Sequence, residues 1–241
     1  MARQDRAVRT RRLILEAAAS VFDEFGFDRA TIAEILARAG VTKGALYFHF
    51  PSKEDLALAV LREQVLDITV HPQQIKLQEF VDAGQVLAYR LRHDPIQRGA
   101  ARLAIEQGST HLDRKQSMTA WTAFVEGLLK EAKARGEVLE SVNVRDIAEL
   151  FVGAFAGLQM MSKAFTDQSD LSYRLVVFFE HFLPTIAVPA ILPRLRLDPE
   201  RGARLDAELQ RQADAEPSQG PGADDGLGAD DEGKALVDTV P

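Results

Sequence analysis

Apolar residues in this chain return every three or four positions, segment after segment, and nowhere in a convincing every-second-residue pattern. Ile14, Ala17, Ala18, Val21, Phe22 and Phe25 trace one helix face. Trp121, Phe124, Val125, Leu128, Leu129 and Ala132 trace another, followed by Ile147, Leu150, Phe151, Ala154, Phe155 and Leu158, and then by Leu175, Phe178, Phe179, Phe182 and Leu183. This is the period of helices buried on one side; a half-buried strand needs strict alternation. The spacing predicts an all-α fold. Prolines at 51, 72, 95, 184, 189, 193 and 199 punctuate it and leave 96–183 free of proline, room for long helices. No internal repeat breaks the pattern into modules.

Composition removes several function classes. With no cysteine among 241 residues, the chain cannot build a disulfide scaffold, a thiolate metal centre or a cysteine nucleophile. No G-x-S-x-G, H-E-x-x-H or phosphate-binding loop is present, and the five histidines (49, 71, 93, 111, 181) lack ligand spacing, so neither an enzyme nor a cofactor or metal is expected. Apolar runs fall far short of the ~20 residues of a membrane helix. The basic first twelve residues precede no apolar core of the kind a signal peptide carries. The expectation is a soluble, cytoplasmic protein without a membrane partner. The formal charge is −7, and residues 214–241, with eight acids and one lysine, account for all of it. That Pro-, Gly-, Asp- and Ser-rich segment buries too little apolar surface to offset ordering and is expected to be disordered. Residues 1–53 carry nine bases against six acids. The chain thus has a basic head, a near-neutral body and an acidic tail.

The head carries the sharpest local signals. Gly26 is placed to stop the first helix. Thr31-Ile-Ala-Glu34 is a capping box opening a helix over 31–39 that ends at Gly40. Thr42 caps a short helix over 42–49, Pro51 breaks the chain, and Ser52-Lys-Glu-Asp55 opens a fourth helix through about Val70. Two capped helices across a tight Gly40-Val41 turn make a helix-turn-helix. Its second helix, Thr42-Lys43-Gly44-Ala45-Leu46-Tyr47-Phe48-His49, offers a hydroxyl and a cation at the N-terminus and small residues where a backbone approaches a groove wall. Tyr47 and His49 are placed to donate to phosphates. A plain three-helix subdomain with Leu46 and Phe48 in its core is the alternative reading of the same residues.

Thr31–Leu56, TIAEILARAGVTKGALYFHFPSKEDL, resembles the signature of TetR-type transcriptional repressors. RLAIEQG (102–108), the isolated Trp121, LLKEAKARGEVL (128–139), VGAFAGLQMMS (152–162), HFLPTIAVPAIL (181–192) and DPERG (198–202) resemble the γ-butyrolactone autoregulator receptors of streptomycete-type bacteria, so the likeness spans about residues 6–205. It implies a homodimeric repressor released from a palindromic operator by a small hydrophobic γ-butyrolactone-like signal. Such a protein controls secondary-metabolite genes and its own gene. An N-terminal helix-turn-helix domain (1–51) would precede a helical ligand-binding and dimerisation domain (52–213) and the tail (214–241). Helices at about 143–164 and 170–186 would pair with their mates as a four-helix bundle. Gly153, Ala154, Ala156 and Gly157 would allow close packing there, and Phe178, Phe179 and Phe182 would supply apolar area beyond one monomer's need. An ordinary intramolecular bundle fits those stripes equally well. The recognition helices of such a dimer stand about 34–36 Å apart. Lys43 and Ala45 are the expected base contacts, with Thr42, Tyr47, His49 and Lys53 on phosphates and Thr31 and Gly44 completing the DNA-facing set. In the body, the resemblance places Trp121 in a ligand cavity. Gln64 could donate its amide to a lactone carbonyl, Phe151 and Phe155 could wall an acyl chain, and Gln159 could supply one orienting polar group. Ala156 departs from the threonine these receptors often carry, which admits a butenolide, an antibiotic or an efflux substrate as the ligand instead.

Overall fold

The structure, a computed structural model, describes residues 2–66, 70–105 and 114–215. Those residues form ten α-helices: α1 (Ala2–Arg29), α2 (Ile32–Ala39), α3 (Lys43–His49), α4 (Lys53–Leu66), α5 (Lys76–His93), α6 (Pro95–Ile105), α7 (Arg114–Ala134), α8 (Val144–Thr166), α9 (Leu171–Ile186) and α10 (Arg201–Ala215). A single 3-10 turn, Leu192–Arg194, precedes α10. Extended pairing among the described residues is limited to one bridge between Val138 and Ala187.

The local signals of the head act as their chemistry dictates. Gly26 leaves helical geometry at φ 74°, and one further turn runs to Arg29 before the chain breaks. Thr31 and Glu34 form the reciprocal capping box, and Gly40 ends α2 in the left-handed region at φ 65°. Thr42 Oγ1 accepts from the Ala45 N–H and starts α3. The fourth helix is described to Leu66; residues 67–69 of its expected run lie outside the described residues, as does 216–241 of the expected disordered tail. Pro184 does not break the chain, because α9 runs through it to Ile186, as the helix expected over about 170–186 does. Only the last turn lies beyond it, and the Ala187 N–H still closes on the Leu183 carbonyl at 2.8 Å. Pro95 opens α6 at its first position, where a missing N–H costs nothing.

Two apolar cores share one helix. The head core joins Ile14, Ala18, Val21 and Phe22 of α1 to Ile35, Leu46, Phe50, Leu56, Val60 and Leu61, and α6 adds Ile96, Ala100 and Leu103 to it. It therefore crosses the division expected at residue 51. Gly99 sets the distance between α1 and α6: a Cβ there would stand 2.3 Å from the Ala19 carbonyl oxygen, so a larger residue forces the helices apart. The body core centres on Phe80, Phe151 and Phe179, whose ring centroids lie 4.6–5.7 Å apart. Each such buried side chain is worth roughly 1.5–3 kcal/mol. Phe179 is wholly buried, Phe182 nearly so, and Phe178 stacks on Phe182 at 4.9 Å. Of the phenylalanines expected on a dimer surface, Phe179 and Phe182 are therefore core of the single chain, and Phe178 lies half-buried against it. The exposed face of α8 and α9 instead carries Leu150, Met160, Met161, Phe165, Tyr173 and Val177, with Gly153 and Gly157 open beside them.

The C-terminal helix is seated on α5 by charge as much as by apolar surface. Arg201 grips the fully buried Asp82 with two bonds of 2.6 and 2.7 Å, and Arg90 reaches Asp206 at 2.5 Å. Gly202 lets α10 approach until the Gln85 carbonyl oxygen leaves no room for a Cβ. At the other end of α5, the Glu137 carboxylate accepts the Lys76 and Leu77 N–H groups at 3.0 and 2.7 Å, satisfying donors that a helix N-terminus leaves open. No helix among the described residues is long and apolar enough to cross a membrane.

Candidate functional site

Two places in this fold can do chemistry with something outside it, and the first is the outer face of α3. Leu46 and Phe50, four residues apart, are buried, which turns the intervening side chains outward. Thr42, Lys43, Gly44 and Tyr47 are exposed, Ala45 and His49 are half-buried, and Phe48 is 80% exposed. The plain three-helix reading placed Phe48 in the core beside Leu46; the structure buries only Leu46. An aromatic ring held in water on a helix that presents a lysine and a tyrosine is a functional candidate that the sequence reading passed over. The Leu46–Phe50 spacing was the signal that could have found it. The Phe48 ring lies edge-on to His49 at 5.1 Å, and Lys43 Nζ sits 5.8 Å from the Tyr47 ring centre.

Two members of the expected set have other duties. Thr31 Oγ1 donates to Glu34 Oε2 at 2.7 Å while accepting from the Glu34 N–H at 3.2 Å, so its hydroxyl is engaged in the cap. Lys53 Nζ donates to the Phe27 and Ala30 carbonyls at 2.8 and 3.0 Å and lies 4.4 Å from the centre of the Phe27 ring. It ties the start of α4 to the end of α1 and keeps one N–H for anything else. The Thr42 hydroxyl accepts the helix cap and retains its hydrogen as a donor.

The second place is an apolar cavity lined by α4 to α8, with a volume of about 60 Å³. Gln64, Trp121, Phe151, Phe155 and Gln159, drawn from three helices by the sequence reading, all line it. Phe151, Phe155 and Gln159 do so because successive steps of four keep them on one face of α8. Ala156 lines it too, so the departure from threonine falls on the cavity wall. Its polar corner is small. Trp121 Nε1–H donates to Gln64 Oε1 at 3.3 Å, and Gln64 Nε2 points to the Gln97 carbonyl at 3.5 Å. Gln97, fully buried on α6, answers by directing its own Nε2 to the Gln64 carbonyl at 3.4 Å. Nothing in the sequence distinguishes Gln97 from an exposed helix glutamine. Among the described residues no group of three or more potential metal ligands comes together.

Comparison with known proteins follows the same division. Residues 14–60 match the family model of bacterial regulatory proteins of the tetR family, and residues 90–176 match that of the tetracyclin repressor-like C-terminal domain. The chain is 39% identical over 216 residues to the A-factor receptor protein of Streptomyces griseus, covering 90% of this chain and 77% of that one. Its fold superposes on full-length native TylP, a TetR regulator from Streptomyces fradiae, with a TM-score of 0.81, 44% identity and coverage of 84% and 98% of the two chains. A γ-butyrolactone receptor, an ArpA-like protein, gives a TM-score of 0.59 at 28% identity, with coverage of 84% and 98%.

Proposed function

The chain belongs to the TetR family of bacterial transcriptional regulators, and from that premise we propose that it is a homodimeric repressor, acting in the cytoplasm, that a γ-butyrolactone-type signal releases from a palindromic operator. One observation carries the ligand half of this reading. The cavity is apolar except at Gln159 and at the corner where Trp121 and Gln64 meet, and Gln64 stands on α4, the helix that also enters the head core. A ligand with a hydrocarbon chain and a single hydrogen-bonding ring matches that distribution of surface. The A-factor receptor and the γ-butyrolactone receptor among its relatives support the same ligand class.

The DNA half rests on the outer face of α3. Lys43 and Phe48 face base edges, the cation toward guanine acceptors and the ring toward thymine methyls. Thr42, Tyr47 and His49 hold phosphates, with Gly44 and Ala45 keeping the contact close. Thr31 and Lys53 act mainly from behind, by fixing α2 and α4. The exposed apolar strip of α8 and α9 with its two open glycines is the surface a second copy covers. Coupling between the halves runs through α6. One side of it packs Ile96, Ala100 and Leu103 into the head core, and the other turns Ala101, Ala104 and Ile105 toward the cavity. A helix shared in this way cannot move for one site without moving for the other.

Ala156 on the wall favours a second ligand within the same mechanism. A ring oxygen that would meet a hydroxyl in related receptors meets a methyl here, at a cost of about 1–3 kcal/mol to a ligand that needs the bond. A butenolide or an antibiotic-like molecule avoids it. A gel shift decides among these readings. DNA from upstream of the protein's own gene is titrated with synthetic γ-butyrolactones and with solvent extract of the producing culture, beside a Trp121→Ala variant. Release by lactone in the wild type and not in the variant is the expected result. Release by extract alone identifies a different signal, and a shift that neither disturbs removes the receptor reading while leaving the DNA-binding one.

A further inference from the structure

Gln64 at the cavity's polar corner and Gln97 behind it are joined to each other. Gln64 is in the last described turn of α4, and Gln97 is in the first turn of α6. Each side-chain amide is directed at the other's backbone carbonyl, across 3.5 and 3.4 Å. The amide of Gln97 thereby ties the backbone of α4 to a neighbouring helix. The orientation of Gln64 is fixed from both ends, since its Oε1 must accept from the Trp121 indole and its Nε2 must donate to a carbonyl.

This clasp is weak by geometry. Both bonds are longer than the 2.7–3.2 Å of a well-formed N–H···O contact. Gln97 Oε1, fully buried, has no hydrogen-bond partner among the described residues. An under-satisfied polar pair inside an apolar interface holds one arrangement of two helices without making it costly to leave.

We propose that the reciprocal Gln64–Gln97 clasp is the latch that holds α4 against α6 in the operator-binding arrangement, and that a ligand carbonyl opens it by taking the Trp121 indole hydrogen from Gln64. The proposal rests on the ligand-released reading above and adds its point of action. An acceptor oxygen at the indole displaces Gln64 Oε1. The Gln64 side chain then turns, its Nε2 leaves the Gln97 carbonyl, and half of the clasp is gone. Both helices belong to the head core through Leu56, Val60 and Leu61 on one and Ile96, Ala100 and Leu103 on the other. A change in their spacing is therefore a change in how the head is carried. Gln97 does not line the cavity, so it acts as a positioning residue.

The test uses the full-length protein carrying Gln97→Met, which keeps the length and removes the amide, and Gln97→Asn, which keeps the amide and shortens its reach. Operator affinity is measured without any lactone, on DNA selected from a random pool by the wild type, together with the melting temperature. Loss of the Gln97 amide's contact with the Gln64 carbonyl, which leaves the Gln64 amide alone on the Gln97 backbone carbonyl, is expected to weaken operator binding roughly fivefold or more in both variants. The remaining complexes should be released by less synthetic γ-butyrolactone than the wild type requires. Operator affinity within twofold of wild type in either variant overturns the proposal whether or not the melting temperature falls, because a merely structural clasp moves only the melting temperature. Where Gln97→Met fails to fold, Gln97→Asn decides alone. A wild-type complex that no lactone releases counts against the ligand reading, while the lactone-free arm still decides on the latch.

Discussion

Filling the cavity should stabilise the fold and deafen it to its signal by related amounts. Ala156 lines the cavity wall on α8, and Ala156→Met adds three heavy atoms on a flexible stem that adapts to irregular gaps and suits a helix nearly as well as alanine. At about 24 cal/mol per Å³, closing all of a cavity of about 60 Å³ is worth at most about 1.4 kcal/mol. For a chain of this size that raises the melting temperature by at most about 3–6 °C, less whatever rotamer freedom the methionine loses. A ligand must expel the methionine before it can enter. The lactone concentration for half-release of the operator should therefore rise about tenfold or more, with operator binding itself retained. Calorimetry gives the first quantity, and a fluorescence-anisotropy release curve on labelled operator gives the second. An unchanged melting temperature together with an unchanged release curve would refute the reasoning, because a side chain built into the ligand's own space cannot be invisible to both.

Three other perturbations address separate parts of the molecule. Lys43→Ala should lower discrimination against altered operators by about 1–3 kcal/mol at one base pair per half-site. Tyr47→Phe should weaken all sequences alike, and binding assays on a panel of single-base variants separate the two patterns. Arg201→Met leaves the fully buried Asp82 carboxylate without its bidentate partner and should cost about 3–5 kcal/mol in urea unfolding, most of it recovered when Asp82 is made Leu in the same chain. At the α8–α9 joint, the Arg174 guanidinium and the Ser162 and Thr166 hydroxyls hold the Asp170 carboxyl well below the usual carboxylate range. A depressed folded-state value means that this stabilisation is complete above the unfolded carboxylate's pKa, about 4, and is lost as pH falls below it. The melting-temperature gap between wild type and Asp170→Asn should be widest near neutral pH and should narrow below about pH 4.

What could be read in the sequence, and what could not, follows from the range of the interactions. The caps at Thr31 and Thr42 and the stops at Gly26 and Gly40 involve partners three or four residues away, so their pattern is visible in a short window. The cavity wall at 151, 155 and 159 was legible for the same reason. The long-range contacts were not. Lys53 looks like a free basic residue until the end of α1, 23 to 26 residues earlier, is folded beside it. Gln97 acquires its role only by meeting Gln64, 33 residues away. Helix α5 escaped notice because it is buried all round: Gln78, Glu79, Asp82 and Gln85 are as enclosed as Leu77, Phe80 and Val81, which erases the one-sided stripe that marks a surface helix. Helix α10 is anchored by two ion pairs and a glycine, and an apolar periodicity search is blind to all three.

The size of the cavity bears on the energy of the switch. Moving a two-state repressor from about 99% operator-competent to about 99% incompetent requires a ligand that prefers the released state by about 5.5 kcal/mol. A ligand that fitted both arrangements equally would shift nothing, however tightly it bound. At about 0.8 kcal/mol per buried methylene, that preference corresponds to roughly seven methylenes buried in one arrangement and not in the other. A cavity of about 60 Å³ is less than half the ~150 Å³ that encloses a single benzene ring, so it cannot take a chain of that length as it stands. Burial of the chain then waits on the separation of the helices that line the cavity, and α4 and α6 are the two of these that reach the head core. On the proposed reading, the tightness of the cavity is the source of the signal's leverage. A roomier pocket would bind the same molecule more readily and transmit less.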